Sequence, residues 1–94
     1  MYALSFDMNT SELKECYPKR ISNAYYEIKK ILYSNGFEWI QGSTYIIKGG
    51  DMSNLFSVMM KLKQIGWFRQ SVRDIRGYKI EDWSNFTQLI KEEI

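Results

Sequence analysis

Asp7 is the first residue in the chain whose type and position could do chemistry. It follows the short, mostly apolar run Tyr2-Ala3-Leu4-Ser5-Phe6 and opens the polar stretch Asp7-Met8-Asn9-Thr10. That pattern is expected where a buried central strand emerges at one edge of a sheet. A carboxylate placed there can hold a hard cation such as Mg²⁺, and two copies brought together by a two-fold axis could share one ion. Such an ion would polarise a phosphate and generate hydroxide. The plainer alternative is that the Asp7 side chain caps the following turn. The chain has no histidine and a single cysteine, Cys16. Ser-His and Cys-His nucleophile pairs, paired-histidine acid–base catalysis, intrachain disulfides and cysteine-based zinc sites are therefore excluded. Any catalysis must rest on carboxylate, metal, tyrosine, lysine or serine.

Other groups could assist. Ser43 stands by a predicted turn and could donate to a non-bridging phosphate oxygen, with Tyr45 two residues later on the same sheet face. Backbone amides of Gln41-Gly42 could join them, or these residues could serve only the hairpin. Arg73 and Arg76 lie three apart, so a regular strand would turn them to opposite faces, and a bulge near Arg73 or Gly77 would be needed to align them. One is expected to bind phosphate while the other pairs with Asp74 or a second chain. Trp39, Tyr45, Trp67 and Tyr78 could stack on unpaired bases, although such residues more often fill cores and interfaces. The net charge is only +2, yet Lys61, Lys63, Arg69, Arg73, Arg76 and Lys79 face the single acid Asp74 within one stretch. Glu81 to Ile94 is acidic by contrast. The basic stretch could follow a phosphate backbone or form an ordinary solvated face.

Ninety-four residues suit one domain, 1–94, with one core. Apolar content of 45% with one proline argues for a folded globule. No apolar run approaches the ~20 residues of a membrane span, and the start lacks a signal-peptide pattern, so a cytoplasmic location is expected. From Pro18 the residues Ile21, Ala24, Tyr25, Ile28, Ile31 and Leu32 recur at helical spacing, ending at Asn35-Gly36. The β-prone runs Phe37–Ile40 and Ser43–Ile47, separated by Gln41-Gly42, predict a tight hairpin. Asp51 caps a second predicted helix with Met52, Leu55, Phe56, Met59, Leu62 and Ile65 on one face, stopping at Gly66. Phe68 to Ile80 reads as strand, and Ser84 can cap a short final helix carrying Phe86, Leu89 and Ile90. The order β-α-β-β-α-β with a tail predicts an α+β, ferredoxin-like fold whose helices cover one sheet face. The uncovered face then calls for a two-fold partner.

Four stretches, MYALSFD, GFEWIQGSTY, DMSNLF and SVRDIRGYKIEDWSNFT, together resemble the virulence-associated protein D (VapD) family, from Met1 to about Thr87. The resemblance implies a cytoplasmic, homodimeric endoribonuclease, often the toxin of a toxin–antitoxin pair with a cognate antitoxin. It also implies a fold similar to the smaller subunit of the CRISPR spacer-integration complex. In both families an aspartate ends the first strand at the dimer interface, and the match here is Asp7 within Ser5-Phe6-Asp7. Gly77 departs from the small apolar residue expected at its position. With RNA as substrate, Asp7 and Ser43 are the expected catalytic residues, Asp7 the ligand of any Mg²⁺, and Gln41, Tyr45, Arg73 and Arg76 the expected RNA contacts. Two mechanisms remain open: metal-delivered water, or attack by the RNA 2′-hydroxyl with Asp7 as base and a lysine or tyrosine as acid. The alternatives are a catalytically silent nucleic-acid scaffold with the same dimeric fold, and a ligand-sensing or interaction module. Gly49-Gly50 is too short to be a phosphate-binding glycine loop.

Overall fold

The computed structural model describes residues 1–93. Strand β1 (Tyr2–Met8) alternates its side chains between two faces, as a pleated strand must. Leu4, Phe6 and Met8 enter the core, which leaves Ala3, Ser5 and Asp7 on the opposite face. Helix α1 (Thr10–Cys16) then fills a stretch in which periodicity predicts no element. Asn9 caps it by accepting from the Glu12 N–H, and Leu13 is its one buried residue, too little for a detectable stripe. Helix α2 spans Ile21–Ser34, so Pro18 lies in the approach to the helix and not in its first turn.

Strands β2 (Glu38–Gln41) and β3 (Thr44–Ile47) form the expected hairpin, one residue out of place. Gln41 pairs with Thr44, so the turn is Gly42-Ser43, where Gly42 supplies the positive φ of 50°. Helix α3 (Met52–Lys63) begins at Asp51, whose carboxylate accepts from the Ser53 and Asn54 N–H groups while Asn54 accepts from the Asp51 N–H. The Ser53 hydroxyl also donates to this carboxylate and, with the two amides, holds it below its ordinary range.

Where a strand is expected from Phe68, the chain first makes helix α4 (Gly66–Ser71) and only then β4 (Val72–Lys79). Packing overrides local preference here. Trp67 meets Tyr17 edge-on at 4.7 Å, and Phe68 is buried against Phe6. The last helix, α5 (Thr87–Lys91), is shorter than expected, and Asn85, not Ser84, accepts from its first N–H.

The sheet is antiparallel with order β2-β3-β1-β4, an α+β arrangement compatible with the ferredoxin-like plan. Helices α2 and α3 contribute Ala24, Ile28, Leu32, Leu55, Val58 and Leu62 to a core against one face. Gly77 has a physical reason to lack a side chain. It lies opposite Leu4, and a Cβ there would come within 2.5 Å of a Leu55 methyl and 2.9 Å of its Cγ. No helix among the described residues is long and apolar enough to cross a membrane.

Candidate active site

The central strand delivers Asp7 to the face that the helices leave open. Just beneath, Phe6 is stacked on Tyr45 (6.3 Å, 7°) and Tyr25 (6.4 Å, 18°) and meets Phe68 edge-on at 5.7 Å. Each such pair adds about 0.5–1.5 kcal/mol beyond simple burial, so the backbone beside Asp7 rests on a rigid aromatic floor. On the neighbouring strand, Asp74 stands directly opposite Asp7. Sequence alone does not reveal this pair, because it depends on the register between two strands 67 residues apart in the chain.

That register contains the anticipated bulge. Asp7 pairs with Asp74 but Met8 pairs with Val72, so Arg73 is the extra residue. The bulge frees the Arg73 side chain to reach Asp7, with Nη1 3.5 Å from Oδ2. Arg76 stays on the open face opposite Ser5, and its Nε donates to Asp74 at 3.1 Å. Two ion pairs, Arg73–Asp7 and Arg76–Asp74, therefore stand side by side on neighbouring strands. The Asp7 and Arg73 side chains are 63% and 62% exposed, so both charges remain available to a ligand.

Helix α2 adds a group that the sequence reading missed. Burial, and then the Asp7 carboxylate, push the Tyr25 phenol above its ordinary range, while its ring packs on Phe6. Ser5, Thr44 and Tyr78 form a hydroxyl chain on the same open face, with Ser5 Oγ 3.1 Å from Thr44 Oγ1 and 2.8 Å from Tyr78 Oη.

The other expected residues divide. Ser43 lies beside the site because its carbonyl accepts from the Phe6 N–H at 3.2 Å, which docks the hairpin turn against the residue preceding Asp7. Gln41 lines a cleft of about 520 Å³ with Trp83, Phe86 and Ile90 of the C-terminal segment. Tyr45 must be corrected. Its pairing with Leu4 turns it to the helix side, where it is 4% exposed and stacked on Phe6, so its ring is closed to a stacking base. Trp67 is likewise occupied, packed between Tyr17 and Phe68.

The carboxylate pair suits a hard cation that keeps several of its waters and takes one or two protein carboxylates, as Mg²⁺ does. Among the described residues no cluster of three or more metal-ligating side chains occurs. Acidic groups to hold a cation or a proton and cations to meet phosphate define a small α+β protein equipped for phosphate chemistry without histidine. No family model matches the chain. It is 50% identical over 91 residues to the endoribonuclease VapD homolog of Neisseria gonorrhoeae, covering 97% of this chain and 99% of that protein. It is 45% identical over 91 residues to endoribonuclease VapD of Dichelobacter nodosus, covering 97% and 98%. Endoribonuclease VapD of Helicobacter pylori is 43% identical over 93 residues, with 97% and 99% covered. The chain belongs to the VapD family.

Proposed function

We propose that this protein is an endoribonuclease that cleaves RNA phosphodiester bonds at the Asp7–Asp74 cluster. The observation that carries the reading is the exposed pair of aspartates in direct register, each met by an arginine, in a chain belonging to a family whose members are named endoribonucleases. Arg73 and Arg76 exchange part of their pairing with the aspartates for the non-bridging oxygens of the scissile phosphate. Asp7 acts as the general base, and a lysine or tyrosine supplies the proton to the leaving group. Ser43, held by its carbonyl against β1, offers its hydroxyl to the phosphate. Should Mg²⁺ take part, Asp7 and Asp74 would hold it, and it would polarise the phosphate and acidify a bound water.

The working form is a two-fold homodimer in the cytoplasm. Trp83, Phe86, Leu89 and Ile90 support the dimer, since they leave large apolar surface exposed in one C-terminal segment. The family resemblance further supports a toxin role with a cognate antitoxin.

A mixed-sequence RNA incubated with the protein, with and without Mg²⁺ and with a chelator, tests the activity. Cleavage by wild type is expected. Cleavage that survives chelation but fails on a 2′-deoxy substrate would leave 2′-hydroxyl attack, and the reverse would leave metal-delivered water. Salt-sensitive binding with no product under any condition would establish the silent scaffold instead.

A further inference from the structure

The hairpin that carries Ser43 also carries an exposed aromatic ring. Trp39 lies on β2, an edge strand, and is 48% exposed. Its indole N–H donates to the Gly42 carbonyl at 2.8 Å, which fixes the ring against the turn that ends in Ser43. Tyr33, 49% exposed on α2, lies alongside, its hydroxyl accepting from the Trp39 backbone N–H at 3.4 Å. The Lys29 ammonium sits 5.0 Å from the centre of the Trp39 ring and 5.6 Å from that of Tyr33.

An exposed tryptophan gains little from being fixed in one orientation unless something uses its face. The side chains around it are of two kinds, flat aromatic surface and positive charge. That is the combination by which single-stranded nucleic acid is held, bases stacking on rings while cations meet the backbone. An acidic peptide would use Lys29 but not the ring faces, and an apolar partner would have to bury the ammonium. Trp39 pairs with Tyr45 and so lies on the helix side of the sheet, and the Gly42 bond ties it to the turn docked on Phe6.

We propose that Trp39, with Tyr33 and Lys29, forms a binding subsite for one unpaired base of the RNA, on the helix side of the hairpin and apart from the Asp7–Asp74 pair. This inference rests on the endoribonuclease reading and deepens it. Trp39 provides the stacking face, Lys29 the cation for the adjoining phosphate, and Tyr33 the second wall. Because stacking ignores base identity, the subsite favours single-stranded over duplex RNA and discriminates weakly among the four bases.

The test uses the full-length Asp7→Asn protein, to prevent turnover, and a labelled single-stranded RNA read by fluorescence anisotropy. A matching series carries one abasic residue at each position in turn. Trp39→Ala is expected to weaken binding roughly 5- to 150-fold, the span of one base–aromatic stack. Trp39→Phe keeps a stacking face but loses the bond to Gly42, and is expected to stay within about fivefold of the parent, since the ring carries most of the effect. One abasic position should weaken binding by the tryptophan protein and leave the Trp39→Ala protein unaffected, because both changes remove the same stack. Equal affinity of Trp39→Ala and parent overturns the subsite. So does Trp39→Phe as impaired as Trp39→Ala, which assigns Trp39 to holding the turn. Failure of the parent to bind any RNA defeats the endoribonuclease reading, and the subsite with it.

Discussion

Replacing Arg73 by glutamine should separate catalysis from stability. Among the described residues its only ion pair is with Asp7, at 3.5 Å with both side chains more than 60% exposed. Exposed pairs of this kind contribute about 0.2–1 kcal/mol. For a domain of this length, about 1 kcal/mol corresponds to roughly 4–8 °C in Tm, so Arg73→Gln should lower Tm by no more than about 8 °C. Its part in the reaction is larger, because a charge-assisted hydrogen bond to a phosphate oxygen in a partly desolvated complex is worth about 1.5–3 kcal/mol. That corresponds to a fall of roughly 10- to 150-fold in kcat/KM. The assay pairs a thermal melt with initial rates on a fluorogenic RNA at fixed ionic strength. Raising the salt should shrink the difference between variant and wild type, as screening weakens the contact. Unchanged cleavage would refute the role of Arg73. A loss of Tm well beyond 8 °C with a proportionate loss of activity would show that the bulge needs its charge to fold.

Asp74→Asn should lower kcat/KM by an order of magnitude or more while leaving the melt nearly unchanged, and if Mg²⁺ is held by the pair the variant should need more of it, as a titration of rate against Mg²⁺ would show. Gly77→Ala should cost about 1–3 kcal/mol, measured by urea denaturation, because Leu55 is buried and cannot retreat freely from the added methyl. Burial raises the phenols of Tyr17, Tyr25 and Tyr45, so the folded chain keeps protons that the unfolded chain releases near pH 10. The contribution of these groups is therefore complete below that pH and lost as pH rises through their folded values, and melts taken from pH 9 upward should fall progressively. Tyr17→Phe should flatten that decline, since it removes one of the raised groups.

What the residues reveal in advance depends on whether the determining interaction is local. Helices α2 and α3 and the hairpin are legible because stripes such as Ile21-Ala24-Ile28 and the Asp51 cap lie within one segment. Helix α1 is not, with a single buried Leu13, although Asn9 followed by Glu12 is a cap signal that could have found it. Helix α4 is hidden for the opposite reason. Trp67-Phe68 favours strand locally, and only its packing against Tyr17 and Phe6 makes the segment helical. In the site, Asp7 and the arginines are readable from residue type and from the broken period around Arg73. Asp74 as the partner of Asp7, and Tyr45 as a core residue, both depend on the registers that β1 makes with its two neighbours.

The most direct test of the account is the single-turnover cleavage rate of Asp7→Asn on a defined RNA, beside a gel-filtration profile and a melt of the same sample. The account predicts a fall of about 10²–10⁴-fold with the assembly and Tm retained, since the Asp7 side chain is exposed and only its charge is removed. A rate within a fewfold of wild type would contradict it and move the chemistry elsewhere on the molecule.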